Sequence, residues 1–171
     1  QRRIAVEAAL RLLHLIAGVS YYKAALPPEI VLEGGAPDPA LAALVTCVYE
    51  QGLGEFAYRN GLSLRGRIRF EAGAPAAAAP ALGLRVHALT AIGGGKDSLV
   101  SIEALRAAGV AQSVSFIGAS PLIRTCAEHT GLPLLNIGRQ LAPELLAFNR
   151  QGAWNGHIPV TAINSAILVL A

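Results

Sequence analysis

The sequence predicts an α/β fold in which a doubly wound parallel sheet follows a mostly helical N-terminal part. Apolar residues recur at helical spacing early in the chain, and an Ala/Pro/Gly-rich stretch then interrupts this pattern. After that stretch, short β-prone runs alternate with helical segments in units of roughly 20 to 25 residues, which is typical of a parallel sheet. We therefore expect a helical part at 1–70, a linker at 71–84 and an α/β domain, truncated at its C-terminal end, at 85–171.

The N-terminal part is predicted to contain three helices. Polar residues recur every three or four positions from Arg3 to His14, which indicates a mostly buried helix with a narrow polar stripe. A second helical stretch at 21–26 ends before two prolines, since proline lacks the amide hydrogen. Asp38 before Pro39 is a typical N-cap, and the helix that it starts extends to about Gln51.

The remaining elements follow in chain order. Residues 65–70 alternate basic and other residues and are predicted as a short strand, whereas the composition of 71–84 predicts a linker or long loop. Beyond it, the pattern predicts strands at 85–92, 112–117 and 133–137, helices at 98–108, 120–130 and 140–149, and an apolar helix near the C-terminal end. In such a sheet the ligand lies beyond the carboxyl ends of the strands.

Composition excludes several classes of protein. The 171 residues are 53% hydrophobic and 15% charged, which is enough for a folded core and too apolar for disorder. Two distant cysteines form neither a zinc spacing nor a disulfide framework. The arginines are dispersed, so the net charge of +3 does not indicate a nucleic-acid surface, and charged residues interrupt the apolar runs, so we expect no membrane span in this segment.

The sequence predicts that the chain is an internal segment of a longer protein and that this protein is cytoplasmic. The absence of Met, with Gln1 at the start, and the apolar run at 158–171 indicate an internal segment. The low cysteine content is typical of a reducing compartment.

One loop carries most of the chemical information. Between a predicted strand and helix lie Gly93, Gly94, Gly95, Lys96, Asp97 and Ser98. Glycines let the backbone approach a ligand closely, and the free amides and positive dipole at a helix start form an anion site. Lys96 adds a charge for phosphate oxygens and Ser98 a hydroxyl donor, whereas Asp97 is compatible with capping the helix or with holding a magnesium ion.

The loop matches neither GxxxxGK[ST] nor GxGxxG. It resembles the SGGxDS pyrophosphate loop of the ATP pyrophosphatase superfamily, at Gly94, Gly95, Asp97 and Ser98, with Gly93 in place of the first serine. This resemblance implies a Rossmann-like sheet of the HUP type, an ATP-binding domain at 85–171, and ATP with Mg²⁺ as cofactors.

Four segments together resemble the MurL family, the UDP-N-acetylmuramoyl-L-alanyl-L-glutamate epimerases of bacterial peptidoglycan synthesis. They are LLHLIAGVSYYKAALPPEI, TAIGGGKDSLVSIEAL, SFIGASPLIRTCAEHTGLPLL and NGHIPVTAINSAI. The resemblance implies inversion of the terminal L-glutamate of UDP-MurNAc-L-Ala-L-Glu to the D form, in the bacterial cytoplasm, through an acyl-adenylate that releases AMP and pyrophosphate.

The groups that contact this substrate are less clearly marked. Asn155, Gly156 and His157 lie in a polar turn before the last helix, and His157 is a candidate for proton transfer, although a turn histidine that only bonds backbone fits equally well. Ser120 is placed either to contact adenosine or to act as an ordinary N-cap. Structural roles are expected for His14 at the surface, for His87 packed within a strand, for Glu128 and His129 late in a helix, and for Cys47 and Cys126 in the core.

Two other functions are compatible with the same loop. One is a different ATP pyrophosphatase enzyme, such as an amidating or thiolating ligase or a 7-cyano-7-deazaguanine synthase-like enzyme. Thiolation usually uses paired reactive cysteines and deazaguanine synthases use a zinc-binding cysteine cluster, and neither is visible in this sequence. The other is an ATP-binding module without turnover.

Overall fold

The computed structural model describes residues 2–171 and divides them into two compact units. Unit 1 comprises the described residues up to Leu82 together with Ala142–Ala171, and unit 2 comprises Gly83–Leu141. The chain passes from unit 1 to unit 2 within the Ala/Pro/Gly-rich stretch, where no helix or strand forms. The sequence prediction instead assigned all of 85–171 to one domain; that functional division stays a prediction.

Unit 1 consists of helices. They are α1 (Arg2–Ala17), α2 (Val19–Ala25), α3 (Pro39–Gly52), α4 (Gly54–Arg59), α7 (Pro143–Arg150) and α8 (Val160–Leu170). Asp38 caps α3 as predicted, since its carboxylate accepts from Ala40 N at 3.0 Å and from Leu41 N at 3.2 Å. The last helix, α8, packs on the first, which closes the unit from its two ends in sequence.

The core of unit 1 is large and partly aromatic. Tyr49 is 3% exposed and contacts the rings of Tyr22 and Phe70, and its hydroxyl donates to Leu15 O at 2.7 Å. Burial, together with the neighbouring Tyr22, raises the pKa of Tyr49 well above its ordinary value. This ring cluster therefore joins α1, α2 and α3 to the extended segment that ends at Phe70.

Unit 2 is an α/β unit with a three-stranded parallel sheet. Its elements are β1 (Ala88–Ala91), α5 (Lys96–Ala107), β2 (Gln112–Ile117), α6 (Pro121–Glu128) and β3 (Leu134–Ile137). The strand order is β1-β2-β3, with Ala88 opposite Gln112 and Val114 opposite Leu134. Residues 112–117 form a strand with the predicted bounds, whereas β1 is shorter than predicted.

The core of unit 2 is small. Val114 and Phe116 on β2 pack with Ile92, Ile102 and Ala127. Alternate residues of a strand point to opposite faces, so one face of β2 supplies the apolar contacts to α5 and α6. Ser115 on the other face is fully buried, and among the described residues its hydroxyl has no hydrogen-bond partner.

Two local predictions in unit 1 are wrong. Residues 65–70 do not form a strand, because a turn is made there, with Arg67 N donating to Leu64 O at 3.0 Å, and no strand pairs with the extended residues beyond it within 2–171. The alternation that suggested a strand is real, since Ile68 and Phe70 are buried between exposed arginines. Helix α1 is not mostly buried either, because Ile4 is 54% exposed and the buried residues of the helix are Ala9, Leu15 and Ile16.

The helical stretch Arg2–Ala25 is long and apolar enough to span a membrane, judged by length and composition. A helix in the core of a water-soluble protein meets the same criteria, and so does a signal sequence. The expectation that this segment contains no membrane span therefore stays a prediction.

Candidate functional site

The glycine-rich loop of unit 2 connects β1 to α5. Ile92 is buried and fixes the end of the strand, and Gly94 has a φ of +83°, a conformation that side chains rarely adopt. Gly95 is the N-cap of α5 in extended conformation, and no side chain caps the helix. The amides of the first turn therefore face an exposed loop without a competing side-chain acceptor, as an anion site requires.

The polar residues of the loop all belong to the first turn of α5. The helix begins at Lys96, two residues before the predicted start, so Asp97 lies inside it and does not cap it. Ser98 Oγ donates to Gly95 O at 3.0 Å, and Ser101 Oγ donates to Asp97 O at 3.1 Å. The capping alternative for Asp97 is therefore wrong. Its carboxylate is exposed beside the loop, as is the Lys96 side chain.

Ser120 lies near this loop. As the N-cap of α6 it accepts from Ile123 N at 3.4 Å, so the ordinary capping role is confirmed. A Cβ at Gly94 would lie 3.7 Å from Ile123 Cγ1, which places the glycine loop against the first turn of α6. Because the strands are parallel, the segments after β1 and β2 meet at one edge of the sheet. A contact between Ser120 and adenosine stays a prediction.

The sequence interpretation missed a polar pair at the same edge. Asn136 Nδ2 donates to Phe116 O at 3.3 Å and to Gly118 O at 2.9 Å, and it thereby bridges β3 to the end of β2. Arg124 donates to Asn136 Oδ1 at 2.8 Å and lies over the Phe116 ring at 5.4 Å. The available signal was the asparagine in an otherwise apolar strand.

The predicted substrate-side turn lies in unit 1. Lys23 Nζ donates to Asn155 Oδ1 at 3.2 Å and to Gly156 O at 3.4 Å, across 132 and 133 positions of sequence. Lys23 is 7% exposed, and burial lowers the pKa of its amine. A buried amine held by neutral oxygens is unusual, and it ties α2 to the turn before α8.

The same turn is packed against α4. Trp154 contacts the Phe56 ring edge-on at 6.3 Å, and Trp154 N donates to Ala24 O at 3.1 Å. His157 Nδ1 lies 3.8 Å from Glu55 Oε2, with both side chains about half exposed. The His157–Glu55 pair therefore lies at the surface of a turn that contacts both α2 and α4.

The structure places the predicted site residues in two groups. Residues 93–98 and Ser120 lie together in unit 2, and residues 155–157 lie in unit 1 with Lys23 and Glu55. Those last two were missed because their contacts span most of the chain. A signal for Lys23 existed, since it is one of two lysines in the sequence.

The remaining candidates have the following surroundings. His129 Nδ1 bonds Thr125 O at 2.8 Å at the end of α6, and His14 is exposed, so the structural roles of both are confirmed. His87 precedes β1 and is exposed beside Ser113 Oγ at 2.9 Å, so the packed position predicted for it is wrong. Cys47 is exposed on α3, contrary to the prediction, whereas Cys126 packs partly against the unit 2 core. Within residues 2–171 no three His, Cys, Asp or Glu side chains gather as a metal site.

Comparison with known proteins gives a consistent result. A family model described as "MurL N-terminal domain" matches residues 1–171. A protein of Xanthomonas oryzae pv. oryzae named UDP-N-acetyl-alpha-D-muramoyl-L-alanyl-L-glutamate epimerase is 74% identical over 168 residues, which is 98% of this chain and 37% of that protein. Proteins with the same name from Salinispora tropica and a Micromonospora species are each 47% identical, over 94% of this chain and 35% and 36% of their own lengths.

The chain thus spans about a third of the length of these relatives. No solved structure matches it significantly.

Proposed function

This chain belongs to the MurL N-terminal domain family, and from that premise we propose that it is part of an ATP- and Mg²⁺-dependent epimerase. The substrate is UDP-MurNAc-L-Ala-L-Glu, a peptidoglycan precursor whose terminal L-glutamate is converted to D-glutamate. The names of the relatives support the substrate and the epimerisation. The glycine loop before α5 supports the use of ATP, and it is the structural observation on which the proposal rests.

Epimerisation of a free glutamate is difficult for an electrostatic reason. Removal of the α-hydrogen beside a carboxylate builds a second negative charge next to the first. ATP, bound as co-substrate, supplies an adenylyl group that converts the carboxylate into an acyl-adenylate, whose carbonyl group no longer carries the negative charge of the carboxylate. A carboxylate oxygen attacks the α-phosphorus, the bond to the β-phosphate oxygen breaks, and pyrophosphate leaves. Proton loss, proton return on the opposite face and hydrolysis to AMP complete the cycle.

The residues of unit 2 suit the pyrophosphate part of ATP. Backbone amides at the start of α5 donate to phosphate oxygens, and the helix dipole favours their negative charge. Lys96 supplies a mobile ammonium, and Ser98 is adjacent with its hydroxyl turned to Gly95 O. The missing serine at Gly93 removes one donor relative to the SGGxDS loop, so the amides and Lys96 carry more of the binding.

Asp97 is the residue that would hold Mg²⁺. Its carboxylate is exposed beside the loop and would supply one oxygen ligand, which is compatible with the few protein carboxylates that Mg²⁺ commonly uses at phosphate sites. The ion held there would neutralise charge on the leaving pyrophosphate.

The turn at 155–157 is proposed to face the dipeptide. His157, whose Nδ1 lies 3.8 Å from Glu55 Oε2 at the surface of this turn, is the candidate proton carrier. Lys23 acts on this turn indirectly, through its bonds to Asn155 and Gly156, and is therefore a positioning residue.

Three further parts of the proposal follow from the resemblance. The three-stranded sheet of unit 2 is part of a larger Rossmann-like sheet of the HUP type, and the ATP-binding domain extends over 85–171 after the linker at 71–84. The protein acts in the bacterial cytoplasm.

The test is a magnesium-dependent pyrophosphate-release assay on the intact protein. Release is expected to require UDP-MurNAc-L-Ala-L-Glu and to accompany entry of solvent deuterium at the glutamate α-position. Lys96→Ala and Asp97→Ala are each expected to lower the rate about a hundredfold or more, by analogy with removal of one transition-state donor. Glu103→Ala, on the exposed face of the same helix, is the matched control and is expected to retain the rate.

Other outcomes identify the competing functions. ATP binding without release would indicate a nucleotide-sensing module, and release with another acceptor would indicate a different ATP pyrophosphatase. Near-normal release in both loop variants would show that the loop does not hold the phosphates.

A further inference from the structure

Unit 1 contains a cleft that no step of the proposed reaction uses. It has a smaller chamber of about 300 Å³ and a larger chamber of about 630 Å³, which share Tyr22, Pro27 and residues 29–32 as a common wall. Sites for small molecules commonly have volumes of about 300 to 1,000 Å³. The two chambers together are therefore large enough for a nucleotide.

The smaller chamber is aromatic. Tyr49 and Phe70 line it with Tyr22, and their rings pack at centroid distances of 5.6 Å for Tyr22–Tyr49 and 5.0 Å for Tyr49–Phe70. Rings held in this way form a rigid apolar wall that suits a planar base and loses no side-chain freedom when a ligand binds.

Tyr22 carries the most specific signal. Its side chain is 5% exposed, and its hydroxyl has no hydrogen-bond partner among the described residues although it is buried. A buried hydroxyl left unpaired costs about 1 to 3 kcal/mol. Burial raises the pKa of Tyr22, so the hydroxyl keeps its proton and is a donor. Tyr22 lines both chambers, and a ligand acceptor that reaches its hydroxyl through the shared wall would relieve this cost.

The larger chamber is polar and carries both signs of charge. Arg67 and Arg69 line it with Glu29 and Glu71. Arg67 is anchored, since one terminal nitrogen donates to Leu26 O at 3.3 Å. Guanidinium groups match phosphate oxygens, and carboxylates accept from sugar hydroxyls. This mixture fits a ligand that joins an aromatic base, a sugar and a diphosphate.

We propose that this cleft binds the uridine diphosphate portion of the nucleotide-sugar substrate, with the pyrimidine in the aromatic chamber and the diphosphate at Arg67 and Arg69. The inference rests on the proposed function for the identity of the nucleotide. It assigns the UDP end of the substrate to unit 1, separately from the ATP loop of unit 2.

The test is calorimetric titration of the intact protein with UDP. Arg69→Gln is expected to raise the dissociation constant about tenfold or more, since it removes a charged partner of phosphate. Tyr22→Phe keeps the ring and removes one hydrogen bond, so a rise of roughly two- to tenfold is expected. Arg65→Gln is the matched control: Arg65 is exposed close to Arg67 and Arg69 and does not line the cleft, so binding within twofold of wild type is expected.

A second control separates this cleft from the ATP loop. Lys96→Ala is expected to leave UDP binding within twofold. The proposal is overturned if the wild-type protein does not bind UDP, if Lys96→Ala abolishes binding while Arg69→Gln does not, or if inorganic pyrophosphate binds as tightly as UDP at the same residues.

Steady-state epimerisation distinguishes the two proposals. Arg69→Gln is expected to raise KM for UDP-MurNAc-L-Ala-L-Glu while kcat changes little. If this variant epimerises the substrate with an unchanged KM, the cleft does not bind the UDP portion, whereas the proposed epimerase function remains supported. If the protein binds UDP through Arg69 but has no epimerase activity, the proposed function is wrong and the UDP site remains supported.

Discussion

Units 1 and 2 differ in the size of their buried apolar cores and in the exposure of their candidate sites. Sixteen of the described residues form the buried apolar cluster of unit 1, which encloses an aromatic cleft and a buried lysine, whereas five form that of unit 2. Unit 2 instead presents its candidate site on an exposed loop whose donors are backbone amides. A phosphate site of this kind needs only a strand end and a helix start, but a cleft that recognises a base needs a surrounding core.

The largest expected effect tests this difference in core size. Ile102→Ala in unit 2 and Phe56→Ala in unit 1 remove side chains that are 1% and 0% exposed. They are expected to lower the free energy of unfolding by about 2 to 5 and about 3 to 5 kcal/mol, respectively. Because few other buried contacts hold the sheet, Ile102→Ala is expected to remove amide-exchange protection throughout β2, whereas α3 keeps partial protection in Phe56→Ala.

Hydrogen–deuterium exchange followed by mass spectrometry measures both variants. Equal residual protection of β2 and α3 would contradict the view that the smaller core is the more fragile one.

A smaller effect is expected at the turn that precedes α8. Gly156 has a φ of +153°, and a Cβ there would lie 2.9 Å from Phe56 Cδ2. Gly156→Ala therefore combines backbone strain with a clash against a fully buried ring, and we expect a loss of about 1 to 3 kcal/mol in urea denaturation. Gly54→Ala is the control, because nothing lies within 4 Å of the added atom and its φ is not positive. If both variants lose the same free energy of unfolding, the loss in Gly156→Ala is not due to backbone strain or to the clash with Phe56.

The smallest expected effect is the pH dependence due to Lys23. Burial lowers the pKa of Lys23 below its unfolded value of 10.5, so between the two pKa values the unfolded chain binds more protons than the folded one. The contribution of Lys23 to the free energy of unfolding therefore rises with pH across that window. Lys23→Met removes this titration, so the wild-type protein is expected to gain stability relative to the variant as the pH approaches 10.5.

Urea denaturation of both proteins over a pH series measures this difference. The two buried tyrosines, whose raised pKa values make stability fall above about pH 10, are present in both proteins and cancel. A difference in stability that does not change with pH would show that the Lys23 amine titrates normally.

Local sequence was sufficient to predict those elements that depend only on residues a few positions apart. The Asp38 and Ser120 caps occupy the predicted positions, and β2 has the predicted bounds. These features depend on neighbours a few positions away. Residues 65–70 show the limit of such reasoning, since alternating burial indicated a strand but no partner strand lies beside them within 2–171. Alternation of apolar and polar residues indicates which side chains are buried. Whether the segment forms a strand depends on a second segment, distant in sequence, with which it can pair.

The sequence by itself determined the glycine-rich loop before α5, because glycines between a strand and a helix expose the first amides wherever that unit is placed. Tertiary structure alone decided which residues accompany the turn at 155–157 and which surround Tyr22. Lys23 meets Asn155 across 132 positions, and the cleft joins residues of α1, α2 and α3 to the extended segment ending at Phe70. Such contacts are set by how the whole unit buries its apolar surface, which no local pattern records.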